Sequence, residues 1–364
     1  MTAQQPTILA TSGGFTIGSR QVPIVAPLLQ YAMRLLQNKY LGASLLCLLA
    51  INISYVPGAK ADRKILPLTQ TEAIVVPGGR GDFDWMQVDA VRRRLLAAHT
   101  DKGTLEILDL KKEKMLATVP AGEVRGIAFG EKVYILGDGK EHKLVFVDAD
   151  TLKMTGEVDL PGEVDAIAYE PITKQVYADH DDGVDVWVVD VPTKKLVQTI
   201  NIGGAPEYIE YDSKTNRLYQ NNKTKNTVEV IDPQSKKVVA SWSTLPATGP
   251  HGLAVDSSAN KLYTAGNNGF LVAIDLGSGK IVSRATIVPD VDQIVLDPLK
   301  KRVYCACASF ISVVDSSHAE LKRLADVPTN IHVHTLTLDP ETHAVWVSFK
   351  EKQQSFLQKF NFNQ

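Results

Sequence analysis

The chain reads as an all-β protein, a seven-bladed β-propeller of four-stranded antiparallel blades, and three observations predict that class. Six aspartates, Asp109, Asp148, Asp190, Asp232, Asp275 and Asp315, recur every 39 to 43 residues, each closing a short apolar, mostly β-branched run. A second column keeps the same spacing in seven copies: Arg94-Leu95-Leu96, Lys132-Val133-Tyr134, Gln175-Val176-Tyr177, Arg217-Leu218-Tyr219, Lys261-Leu262-Tyr263, Arg302-Val303-Tyr304 and Ala344-Val345-Trp346. The third observation is that no stretch after residue 61 sustains a helical period.

Within each copy, alternating segments rich in Val, Ile, Leu and Tyr are separated by turn clusters such as Ser213-Lys214-Thr215-Asn216 and Asp297-Pro298-Leu299-Lys300. Four short strands in about 42 residues make one blade, which must bury its two apolar faces against neighbours. The seventh copy supplies strands near His334 to Leu338, Ala344 to Phe349 and Ser355 to Phe360, then lacks a fourth. The segment Ala73-Ile74-Val75-Val76-Pro77-Gly78-Gly79 has the form of the outermost strands elsewhere, for example Val197 to Gly204. It is expected to complete the last blade and close the ring, which removes an exposed edge.

The motif running from Tyr177-Ala178 through Gly183 and Asp185-Val186 to Val188-Val189-Asp190, its echo at Tyr263 to Asp275, and the opening Asp82 to Asp89 resemble the YVTN-type, YncE-like seven-bladed propellers of bacterial envelopes. The resemblance covers residues 72 to 364. It implies the propeller fold and leaves function open, because that architecture also carries lactonases, lyases, redox-enzyme subunits and binding scaffolds.

Residues 33–61 have the three parts of a signal peptide: a basic start at Met33 to Tyr40, an apolar run from Leu41 to Val56, and Ala59-Lys60-Ala61 as a small-x-small cleavage site. The apolar run is short for a spanning helix, so no stable membrane span is expected after cleavage, and the mature domain at 62–364 is expected in the periplasm or secreted. Residues 1–32 form an extension of doubtful significance. Pro6 to Phe15 and Pro27 to Ala32, within residues 1–36, resemble the start of a peptidase E type serine peptidase, without room for that family's nucleophile region. No peptidase activity follows, and either Met1 or Met33 is the true start.

The chain has 364 residues, 44% hydrophobic, with a formal charge of −2, which provides ample core and no global attraction to nucleic acid or acidic lipid. A small molecule or a protein partner is therefore the expected ligand. Arg92-Arg93-Arg94 and Lys111-Lys112-Glu113-Lys114 are read as solvated turn faces, since no aromatic interleaving accompanies them. Cys305 and Cys307, spaced i, i+2, point to one face of a strand; they are read as small buried hydrophobes, with a metal-binding or redox pair as the alternative. No Cys-x-x-Cys-His sequence occurs, which excludes covalent haem.

At one repeat position, before each innermost strand, stand Asp84, Arg125, Asp165, Glu207, His251, Asp292 and His334, all ionisable or imidazole. They are expected to face one mouth of the central channel and to bind ligand there. The turns after the second strands are expected to add His99, Asp138, Asp179, His180, Asn221, Asn222, Asn267 and Asn268. His251, Asp292 and His334, with His332 nearby, form a candidate set for a divalent metal, against the simpler reading of hydrogen-bonding rim groups. Asp84, Asp165 and Glu207 are a candidate calcium set into which Arg125 intrudes. Trp187 and Trp242 are read as inter-blade packing; Trp85, beside the ring, either packs or stacks on a planar ligand.

The expected function is that of an exported binding or scaffold protein using the polar channel mouth. The alternatives are a lactonase-like hydrolase or metal-dependent oxidase in the channel, and an accessory subunit of a periplasmic redox enzyme. No catalytic residues are assigned, because neither a Ser-His-Asp order nor a strong metal-ligand motif is present.

Overall fold

The computed structural model describes residues 66–364 apart from Asp182, Asn330 and Gln364. The extension at 1–32 and the segment 33–61, expected to be a signal peptide, lie outside the described residues. Seven four-stranded antiparallel sheets form the blades, with strands spanning 85–120, 124–159, 164–201, 206–243, 250–286 and 291–328 for blades 1 to 6. Blade 7 combines Leu336–Asp339, Ala344–Glu351 and Gln354–Phe362 with the amino-terminal strand Leu68–Val76. Among the described residues no helix is long and apolar enough to cross a membrane.

The closing strand pairs antiparallel with the last one, from Leu68 opposite Phe362 to Val76 opposite Ser355. It starts earlier than expected and ends before Pro77, whose missing N–H cannot extend a ladder. Leu68 and Val76 are fully buried there, whereas Ile74 is half-buried. The innermost strand of blade 7 begins at Leu336, so His334 precedes it by two residues.

The repeated aspartates are turn caps. Between the third and fourth strands, Asp109 accepts the backbone N–H groups of Lys111 and Lys112, both at 2.9 Å, and Asp190, Asp232 and Asp275 accept those of Thr193, Ser235 and Ser278. Four residues after the aspartate the chain turns left-handed: Glu113, Leu152, Lys194 and Lys236 have φ between 51° and 58°. A side-chain cap followed by one left-handed residue reverses the chain with the twist that the flanking strands need. These hydrogen bonds hold Asp109, Asp148, Asp232 and Asp275 below the usual carboxylate range.

A second carboxylate column ends the innermost strands: Asp89, Glu170, Asp212, Asp256, Asp297 and Asp339, all buried. Each caps its own first turn; Asp212 accepts from Thr215 N at 3.0 Å and Asp297 from Lys300 N at 2.9 Å. The left-handed residue of the next blade's turn then reaches back to the same carboxylate. Arg93 donates to both oxygens of Asp339 at 2.6 and 2.7 Å, Lys301 lies 3.3 Å from Asp256, and His343 Nδ1 lies 2.8 Å from Asp297. Asp212 also accepts from the next blade's turn, through the Ser257 hydroxyl and not through that turn's left-handed residue, Asn260.

Arg93 therefore corrects the expectation of a solvated basic turn. It is 8% exposed and ties blade 1 to the innermost strand of blade 7. Arg92 pairs with Asp89 and Asp150 nearer the surface, and Lys111 to Lys114 are exposed as expected. Trp187 is buried, and Trp242 packs on Tyr219 with ring centroids 5.6 Å apart. Cys305 and Cys307 are free and fully buried, and burial raises both thiols, Cys307 to about 12.

Arg93→Ala leaves Asp339 buried without its cation, and the expected loss is about 3–5 kcal/mol of unfolding free energy. Arg92→Ala is expected to cost less than about 1 kcal/mol, since its pairs are nearer solvent. Urea unfolding of the two variants checks this; equal losses would refute the latch.

Deleting residues 66–79 is expected to lower stability by several kcal/mol, because Leu68 and Val76 each contribute roughly 1.5–3 kcal/mol by burial and the last blade loses a ladder. A truncated protein melting with the intact domain would refute ring closure by this strand.

Candidate functional site

The seven repeat-position residues come together around one cavity of about 340 Å³ at one end of the channel. Its wall includes Asp84, Arg125, Asp165, Glu207, His251, Asp292 and His334. The way they get there differs from expectation. Only Asp84 and His334 precede their strands; Arg125, Asp165, Glu207, His251 and Asp292 are second residues within theirs. In those five blades the ladder shifts register at this residue, as between Val164 and Ile167 or Pro206 and Ile209. A register shift re-aims a side chain that regular pleating would turn into a blade face.

The secondary ring is largely corrected. His99 is fully buried, stacked on Phe83 at 4.4 Å, and His180 packs on Trp187 at 4.6 Å, so neither lines the cavity. Asn221 is buried and staples blades 4 and 5, donating to the carbonyl of His251 at 2.7 Å and accepting from Thr264 at 3.0 Å. Asp138 caps the N–H groups of Glu123 and Glu141, Asn222 is buried, and Asn268 donates to the carbonyl of Pro246. Asn267 lines the cavity, with Nδ2 3.5 Å from His251 Nε2.

The error is one residue of register. Asp181, Lys223 and Asn267 each donate the backbone N–H to the equivalent carbonyl of Glu163, Ala205 and Gly249, so they share one column directly after the second strand. All three line the cavity, together with Asp290 and Gln293. Strand alternation turns the preceding residue inward. The columns after Gln175-Val176-Tyr177 and Arg217-Leu218-Tyr219 carried that signal.

The charges are unequal. Six carboxylates, Asp84, Asp165, Asp181, Glu207, Asp290 and Asp292, face two fixed cations, Arg125 and Lys223, and three imidazoles. Arg125 binds Asp181 and lies 3.0 Å from Glu123 and 4.0 Å from Asp84. Lys223 lies 2.6 Å from Glu207, whose other oxygen is 3.4 Å from His251 Nε2. His251 Nδ1 contacts the carbonyl of Gly249 at 2.9 Å, which makes it the donor nitrogen. His334 and Asp292 pair at 3.4 Å, and that hydrogen bond raises the imidazole.

Cations do not reach every acid. Asp84 remains open to channel water but is enclosed by protein, and that enclosure, with Asp292 adding repulsion, pushes it up to about 7. Burial, then Asp179 and Glu207, raise Asp165 well above its ordinary value. Asp179, fully buried behind it, is raised by burial despite the hydrogen bond from Gln220 at 3.0 Å. Burial also raises Glu207, although His251 and Lys223 oppose it.

The metal set divides into two pairs, because His251 faces Glu207 whereas His334 faces Asp292. Arg125 lies beside the calcium set, near Asp84. Among the described residues no group of three or more His, Cys, Asp or Glu side chains has the arrangement to hold a metal ion.

Trp85 is 8% exposed and stacks on Tyr208 with centroids 4.9 Å apart. The pair forms the floor of the cavity, braced by Gln293, which donates to the Asp84 carbonyl at 2.9 Å and accepts from Thr335. Small residues at the equivalent positions let the strands close in: a Cβ on Gly126 would stand 2.3 Å from the Asp165 carbonyl oxygen.

No protein-family model matches the chain, and no curated protein matches its sequence. Solved structures match in fold. The WD40 repeats of RRP9 align at 12% identity over 82% of this chain and 100% of that one, with a TM-score of 0.69. A chain of the Mitotic Checkpoint Complex aligns at 13% identity over 88% and 99%, with a TM-score of 0.70. Hydrazine synthase from Kuenenia stuttgartiensis aligns at 13% identity over 75% and 95%, with a TM-score of 0.65. At such identities the likeness concerns fold alone. The chain is a seven-bladed β-propeller with a carboxylate-rich channel mouth.

Two groups of acids act oppositely on stability. The capped turn aspartates have lowered values, so their contribution is present above about pH 4 and is lost as pH falls through their folded values. The raised mouth acids hold protons in the fold that the unfolded chain releases, so stability falls as pH rises from about 4 through about 7. Thermal melts are expected to peak in mild acid. Asp165→Asn should raise the melting temperature at pH 8 and leave it nearly unchanged at pH 5; a loss at pH 8 would show that the carboxylate is stabilising.

Proposed function

We propose that the protein is a binding propeller whose acidic channel mouth holds a positively charged group, presented by a small molecule or by a basic side chain of a partner segment. The observation that carries this reading is the excess of six carboxylates over two fixed cations around one cavity. Burial pushes Asp84 up to about 7 and raises Asp165 and Glu207, and an entering cation favours their ionised forms. Binding therefore releases protons and strengthens as pH rises from 6 to 8. Export, and membership of the YVTN-type, YncE-like group, belong to the same proposal and rest on residues 33–61 and on the Tyr177 to Asp190 motif. Propeller chains such as the one in the Mitotic Checkpoint Complex are consistent with partner binding by this architecture.

Titration calorimetry with spermidine, and with citrate as the anionic control, tests the proposal. Spermidine is expected to bind, more weakly at high salt, and to lose at least about tenfold in affinity in Asp165→Asn/Glu207→Gln. Citrate binding in place of spermidine would overturn it.

A further inference from the structure

Below the Trp85–Tyr208 stack the channel widens into a second compartment of about 560 Å³, within the range of small-molecule sites. All seven innermost strands wall it, and Pro298 and Pro340 stand at its far rim. Its lining is much less polar and less charged than that of the upper mouth. Apolar and aromatic residues make up most of the lining, Trp85, Phe129, Tyr169, Tyr208 and Tyr211 among them, beside the neutral polar Gln87, Gln293 and Thr337. Three residues beyond the ionisable ring position, the repeat column is neutral in six blades and carries Glu210 in blade 4.

Glu210 is the only carboxylate lining this compartment, and no Lys, Arg or His joins it among the described residues. Its carboxyl accepts the backbone N–H of Val255; burial, with a smaller repulsion from Asp212, pushes it up to about 8. Asp212 itself is engaged by Thr215 and Ser257. Burial also raises Tyr169, Tyr208 and Tyr211, which keeps their hydroxyls neutral. A folded domain gains nothing in stability from a lone acid in such a place.

We propose that the lower compartment binds an organic cation with an apolar body, an alkylated or quaternary ammonium, with its charge at Glu210 and its alkyl groups against the aromatic walls. Aromatic faces attract such cations, and the weak hydration of an alkylated ammonium makes entry into an apolar chamber affordable. A small hydrated metal ion or a polyamine would lose its water there without enough oxygen ligands to replace it. The inference uses a different compartment from the upper mouth and stands whether or not that reading holds.

Calorimetry on the intact chain with benzyltrimethylammonium, whose charge does not titrate, decides it. Affinity is expected to rise about tenfold between pH 7 and pH 9, as a carboxyl near 8 ionises. Glu210→Gln, which retains an acceptor for Val255, should lose at least tenfold at pH 9 and abolish the pH dependence. Tyr169→Leu should weaken the cation more than benzyl alcohol, and Asp165→Asn in the upper cavity should leave the affinity for benzyltrimethylammonium unchanged while shifting the melting temperature as above. Failure of the wild-type protein to bind the cation at pH 9, equal binding of benzyl alcohol, or unchanged affinity in a folded Glu210→Gln variant would each overturn the proposal.

Discussion

The fold depends on the carboxylates that end six of the seven innermost strands. A buried carboxylate without partners is costly, and here the partners come from two blades at once. Asp339 accepts the N–H of Glu341 in its own turn and both guanidinium nitrogens of Arg93 in blade 1. Asp297 does the same with Lys300 and His343, and Asp256 with Ala259 and Lys301. One side chain thus sets the local turn and the distance to the next blade. Because the turn fixes register, and a one-residue slip would exchange the two faces of a strand, every later position in the blade inherits its direction from this cap.

From that register follows the channel. Each innermost strand repeats the order ionisable residue, floor residue, apolar residue, and the ring stacks these into layers. The upper layer gathers charge, the Trp85–Tyr208 layer blocks the middle, and the lower layers are apolar and aromatic around Glu210. The two compartments share a wall of seven strands but differ in solvent character. Carboxylates in the upper one compete for Arg125 and Lys223; the carboxylate in the lower one has only a backbone amide.

Much of this was legible in the sequence. The repeat of Asp109 to Asp315 marked the blades, and the missing fourth strand in blade 7 pointed to the segment from Ala73 to Gly79, which overlaps the observed strand Leu68–Val76. Each ring residue from Asp84 to His334 could be placed by repeat position alone, since pseudo-symmetry turns equal sequence positions into equal heights in the channel. Asp181 and Lys223 were missed by one residue, because a pleated strand alternates faces and the end of the second strand was taken one position early. Arg93 was misread because a basic turn looks solvated until the neighbouring blade's carboxylate is in place.

What the sequence by itself determined is the architecture and the ring, since both are periodic properties: apolar alternation, turn residues and one repeated position. What the tertiary structure alone decided is the pairing within the ring. Whether His251 meets Glu207 or Asp292, whether Arg125 neutralises Asp181 or Asp165, and whether Trp85 faces a ligand or Tyr208 depend on angles between blades and on register shifts of a few ångströms. Interactions between charges vary steeply over such distances, and a linear chain carries no record of them until the circle is closed.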